Sequence, residues 1–162
     1  MLEPWTTENK EILPFKERYS LMLSDRKKCP ISTLDTSANC ILKYINLRGY
    51  NQNLKELIHK TGVPKSTFSK MKKDKDYKFD IRTLVALAIG LNIDTERFEL
   101  IVKKAGLSLN ESKEHVFYKL LIENHGTMTM EQVNRELERH GFSILAGKKK
   151  DSPNKKRQKV SH

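Results

Sequence analysis

The sequence predicts an all-α protein, and three observations carry that expectation. Apolar residues recur at three- and four-residue spacing along most of the chain, the repeat of an amphipathic helix. Alternation of β-branched residues is scarce, and no Asn-Gly or Asp-Gly pair is present to close a tight hairpin. Glycines stand where the periodic segments stop, at Gly49, Gly62, Gly106, Gly126 and Gly141.

Taken in order, residues 1–34 are punctuated by Pro4, Pro14 and Pro30. One helix is predicted near 15–25, with Ile12, Phe15, Tyr19, Met22 and Leu23 as its loose apolar stripe. From Ser37 to Arg48 the stripe is Ile41, Leu42, Ile45 and Leu47, and Gly49 closes the segment. Asn53 is the expected cap of the next helix, with Glu56 three residues on completing an imperfect capping box. Leu54, Leu57 and Ile58 then face inward before Gly62. A further helix is expected to start around Pro64, where a missing N–H does no harm, with Phe68 and Met71 as its buried pair.

Asp80 is the expected cap of a strongly apolar helix over Ile81 to Leu91. Asp94 caps another, whose Phe98, Ile101, Val102 and Ala105 form one face, and Gly106 follows as its stop. These five segments predict one helical domain over 35–106. Two more helices are predicted beyond it. Residues 111–125 place Val116, Phe117, Leu120 and Leu121 on one side, ended by Gly126. Thr129 with Gln132 makes a capping box for a helix bearing Met130, Val133 and Leu137, stopped at Gly141. Phe142, Ile144 and Leu145 read as an apolar hook that packs back, which closes a C-terminal extension over 107–145. Residues 146–162 are Lys-rich and without periodicity, and are expected to be a disordered basic tail.

Composition narrows the chemistry. The 31 Lys and Arg outnumber 20 Asp and Glu, a formal charge of +11 that favours polyanions, nucleic acid before anionic membrane. Seven cations and one acid fall in 146–162, so the tail holds +6 and the rest of the chain only +5. Cys29 and Cys40 lack C-x-x-C spacing, which argues against a disulfide framework or a zinc site and for reduced thiols. No apolar run approaches membrane-spanning length and the N-terminus lacks a signal-peptide pattern, so a cytoplasmic protein without membrane partners is expected.

Catalytic signals are thin. His59, His115, His125, His140 and His162 are scattered without metal-ligand spacing, and no Gly-rich phosphate loop is present. Glu96, Glu99, Glu123, Glu136 and Glu138 sit at the spacing of solvated helix faces. The chain is therefore expected to be no enzyme, with no metal and no cofactor.

The most informative stretch is N-L-K-E-L-I-H-K-T-G-V-P-K-S-T-F-S-K-M, from Asn53 to Met71. Two short amphipathic segments meet at Gly62, and the second carries Lys and hydroxyl side chains wherever its apolar residues do not point inward. Leu57, Gly62, Val63, Thr67, Phe68 and Ser69 at this spacing resemble the lambda-repressor-like, Xre/Cro-type helix-turn-helix family over about residues 37–106. Leu84, Leu87, Ala88 and Leu91 before Asn92-Ile93 are similar to that family's fourth helix, and 94–145 resembles the C-terminal part of a subgroup of bacterial and phage helix-turn-helix proteins. The pattern departs from the family at Leu54, where Gln is usual, at Ile58 for Ala, at Pro64 for Ser or Thr, and at Lys73-Asp74.

The resemblance implies a five-helix domain that binds double-stranded DNA sequence-specifically, as a transcriptional regulator of bacterial or phage type. Lys65, Ser66, Ser69 and Lys70 are then the base-reading residues, because they occupy the outer face of the second segment. Asn53, Thr67, Lys72, Lys73 and Lys75 are the phosphate contacts, within a stretch over 65–82 of seven cations against three acids. A homodimer would address two half-sites about 34 Å apart, with the apolar faces of 94–145 as its interface. The alternative is a protein–protein interaction module on the same scaffold, such as an antitoxin or a phage inhibitor of a host defence nuclease. RNA binding is a weaker rival, for which only Tyr77 and Phe79 offer stacking rings.

Overall fold

The computed structural model describes residues 15–124 and 128–146. Among these residues the protein is all-α, with eight helices and no strand. They are α1 (Phe15–Lys28), α2 (Ser37–Leu47), α3 (Leu54–Thr61), α4 (Lys65–Lys73), α5 (Ile81–Gly90), α6 (Thr95–Lys104), α7 (Lys113–Glu123) and α8 (Met130–Arg139). No described helix is long and apolar enough to cross a membrane.

The hub is α5, in which every residue from Leu84 to Gly90 is buried. A helix apolar on all sides is stable only inside a shell of other elements. α3, α6, α7 and α8 supply that shell, while α2 packs against α4 and α6. One cluster of buried side chains runs from Ile41 and Tyr44 through Leu57, Phe68, Leu84 and Phe98 to Tyr118 and Leu137.

Local chemistry sets the starts and stops. The Asp80 carboxylate accepts from the Thr83 N–H at 2.8 Å, and Asp94 accepts from the Arg97 N–H at 3.1 Å. Thr129 and Gln132 form the reciprocal capping box that opens α8. Gly49, Gly62, Gly106 and Gly141 all take positive φ, the geometry that ends a helix at low cost in a residue without Cβ. The C-terminal hook packs back as expected: Leu145 is buried and its N–H donates to Asn134 Oδ1 at 3.0 Å.

Three expectations need correction. The apolar stripe of α1 does not face the core, because Phe15, Tyr19 and Leu23 are exposed, and Phe15 stacks on Tyr19 instead. α1 docks through charge. Asp25, 3% exposed, receives both Arg48 guanidinium nitrogens at 2.8 Å, and its neighbour Arg26 reaches both Asp94 oxygens at 3.0 and 2.9 Å. Arg48 also donates to the Leu91 carbonyl at 2.8 Å, which ties α1, α2 and the end of α5 together.

Second, Asn53 makes no side-chain cap on α3; its amide donates to Glu56 Oε1 at 2.7 Å, so the two side chains satisfy each other rather than the backbone. Third, α7 is rotated from its expected face. Tyr118, Leu121 and Ile122 are buried, whereas Val116 and Leu120 are exposed. The Tyr118 hydroxyl donates to Glu114 Oε2 at 2.8 Å, so the ring enters the core with its polar tip paired. Ile12, His125, Gly126, His162 and the basic tail from Gly147 lie outside the described residues.

Candidate functional site

The segment from α3 to α4 is built around Thr61, which is fully buried. Its hydroxyl donates to the Leu57 carbonyl at 2.8 Å and accepts from the Val63 N–H at 3.1 Å. The same side chain therefore closes the last turn of α3 and holds the first residue beyond it. Between them Gly62 sits at φ 79°, and its N–H donates to the Ile58 carbonyl at 2.8 Å. The methyl of Thr61 lies against Gly90 of α5, where an added Cβ would overlap it. Absence of a side chain at Gly90 thus lets α3 approach α5 closely.

α4 begins after Pro64, whose ψ of 157° directs the chain into the helix without a side-chain cap. Phe68 and Met71, each 1% exposed, anchor its inner face. The four residues expected to read bases, Lys65, Ser66, Ser69 and Lys70, are all exposed on the other side. Helical spacing puts 66, 69 and 70, and 65 and 69, on adjoining turns, so the four make one polar surface.

Of the expected phosphate contacts, Lys72 and Lys73 at the end of α4 and Lys75 in the following loop are exposed, and Thr67 is half-buried. Asn53 is exposed, but its amide is engaged with Glu56 and its backbone N–H donates to the Tyr50 carbonyl at 3.0 Å. Asp74 shapes the loop: its N–H donates to the Lys70 carbonyl at 2.9 Å and its carboxylate accepts from the Asp76 N–H at 2.9 Å. Tyr77 and Phe79 meet edge to face at 4.9 Å, with Phe79 buried and Tyr77 half-buried.

The charge of this surface is not neutralised internally. The ion pairs of the described residues join Arg26 to Asp94 and Glu96, Lys43 to Asp35, Arg48 to Asp25, Arg135 to Glu131 and Arg139 to Glu136. None involves Lys65, Lys70, Lys72, Lys73, Lys75 or Lys78. Sequence reasoning passed over Lys55 and Lys60, exposed cations on α3; Lys60 is steadied by the Tyr50 hydroxyl at 3.1 Å and by the Tyr50 ring. Their signal was the same unpaired-lysine pattern one helix earlier.

Nothing comparable gathers around the cysteines. Cys29 and Cys40 are free and buried, and burial pushes the Cys40 thiol up to about 11, away from the thiolate a nucleophile needs. No group of three or more His, Cys, Asp and Glu among the described residues could hold a metal ion. Compared with family models, curated proteins and solved structures, the chain matches none.

Proposed function

We propose that this protein binds double-stranded DNA as a lambda-repressor-like helix-turn-helix regulator, with α3 as the positioning helix and α4 as the reader. The observation that carries the reading is the division of α4: Phe68 and Met71 are sealed inside, while Lys65, Ser66, Ser69 and Lys70 stand exposed together. Lys donates to guanine O6 and N7, and Ser donates or accepts with either strand. Lys72, Lys73 and Lys75, exposed and in no ion pair of the described residues, are the phosphate contacts in this reading.

The test is duplex binding as a function of salt. Each phosphate neutralised contributes about 0.9 to the slope of log affinity against log salt. The wild type is expected to show a slope of several units, reduced in Lys72→Ala/Lys73→Ala/Lys75→Ala and retained when residues 147–162 are deleted. Binding that disappears with the tail alone would show that α4 is not the contact.

A second reading has one specific observation in its favour. Leu54 occupies the place where the family usually has a phosphate-contacting Gln, and here the side chain packs against the core. That departure suits a scaffold that binds a protein partner, as an antitoxin or a phage inhibitor of a host defence nuclease would. Salt-dependent duplex binding that is no stronger in the wild type than in Lys65→Ala/Lys70→Ala would favour it.

A further inference from the structure

The outward side of α1 carries two open aromatic rings among cations. Phe15 and Tyr19 are 84% and 56% exposed, with ring planes 4° from parallel and centroids 6.4 Å apart. Each ring therefore keeps a face open to solvent. Lys16, Ser20, Leu23 and Lys27, all exposed, recur at helical spacing beside them, so a cation stands at each end of the row. The two lysines are separated by about 16 Å along the helix axis. Neither takes part in an ion pair of the described residues. Of the acids on α1, Asp25 is buried against Arg48, and Glu17 falls on the opposite side of the helix from Tyr19. The rings near α4 are less available, because Phe79 is buried and Tyr77 half-buried against it.

We infer that this face of α1 binds a single strand of DNA, stacking bases on Phe15 and Tyr19 and holding phosphates at Lys16 and Lys27. Open rings in a row with cations are the chemistry that grips an unpaired strand without reading its sequence. A duplex offers such rings little, because its base faces are already stacked on one another. Two lysines with no acid between them on the face select a polyanion as the occupant. The choice of DNA over RNA rests on the reading of α4. The stacking itself does not, since neither ring nor lysine reads a sugar hydroxyl.

Fluorescence anisotropy of the full chain with a labelled oligothymidylate tests it. Phe15→Ala/Tyr19→Ala is expected to weaken binding by about tenfold or more, with helix content by circular dichroism unchanged. Tyr19→Trp, which keeps a stacking face, should bind at least as tightly as the wild type. Lys16→Ala/Lys27→Ala should lower the slope of log affinity against log salt by about 0.7 for each lysine. The loss caused by the ring variant should persist when residues 147–162 are deleted and in a Lys65→Ala/Lys70→Ala background. Oligouridylate should bind no more tightly than oligothymidylate. Affinity indifferent to the rings, a clear preference for the RNA, or ring-dependent capture by anionic lipid vesicles without oligothymidylate binding would each overturn the inference. A wild type that binds duplex and no single strand would sink this inference alone. A strand held through the rings by a chain that binds no duplex would sink the reading of α4 alone.

Discussion

Thr61 of α3 lies directly against Gly90 of α5, and its hydroxyl is held between the Leu57 carbonyl and the Val63 N–H. Those two hydrogen bonds fix the rotamer, so the methyl cannot swing away from a Cβ introduced at Gly90. Ala in a helix interior gains about 1 kcal/mol over Gly in propensity, and Gly90, the last residue of α5, can gain at most that. Here overlap opposes that gain and overpacking typically costs about 1–3 kcal/mol. Gly90→Ala is therefore expected to lower the urea-unfolding free energy. Gly90→Ala/Thr61→Ser, which removes the obstructing methyl and keeps the hydroxyl, should recover most of the loss. A Gly90→Ala variant more stable than wild type would refute the close approach.

The docking of α1 makes a second prediction. Asp25→Ala strands the Arg48 guanidinium, whose side chain is only 17% exposed, without its carboxylate. Losing one partner of a buried pair costs about 3–5 kcal/mol. Glu131→Ala breaks a pair whose side chains are 57% and 70% exposed, and is expected to cost well under 1 kcal/mol. Tyr19→Ala, on the outward stripe of α1, should be near neutral. Chemical denaturation of the three variants gives the ranking.

Acid stability follows from Asp94. Burial pushes its carboxyl up, but hydrogen bonds from Arg26 and from the Arg97 N–H outweigh burial, and the folded group titrates below its ordinary value of 3.8. A depressed carboxyl contributes stability above the unfolded pKa and loses it as pH falls through the folded one. The protein should therefore lose stability progressively as pH falls below about 4. Arg26→Leu should flatten that part of the profile while lowering stability at pH 7. An unchanged acid slope in Arg26→Leu would exclude this pair as its source.

The cap of α8 offers a local control. Thr129→Ala removes the acceptor for the Gln132 N–H at 3.1 Å and is expected to cost about 1 kcal/mol. Hydrogen exchange should show the loss first in the amides at the start of α8.

Much of the helical pattern was legible because its signals are local. Asp80 and Asp94 announce their helices by the first turn, and Phe68 and Met71 at one-turn spacing define the inner face of α4, from which the exposure of Lys65, Ser66, Ser69 and Lys70 follows. The illegible parts depend on partners far along the chain. The register of α1 is set by Arg48 and Asp94, which no apolar periodicity can reveal. α7 was misjudged because Tyr118 was left out of the apolar count, although pairing with Glu114 makes it a core residue. Thr61 reads as an ordinary polar residue until Gly90 is set beside it; a lone glycine inside an otherwise apolar helix was the available hint.

The central claim, that the outer face of α4 reads DNA, is tested most directly by selection of duplexes from a random pool. Wild type and Lys65→Ala/Ser66→Ala/Ser69→Ala/Lys70→Ala should be carried through the same rounds. The account predicts that the wild type enriches a defined sequence, whereas the variant enriches none and keeps only weak binding that falls with salt. A wild type that enriches no sequence, or a variant that enriches the same one, would contradict it.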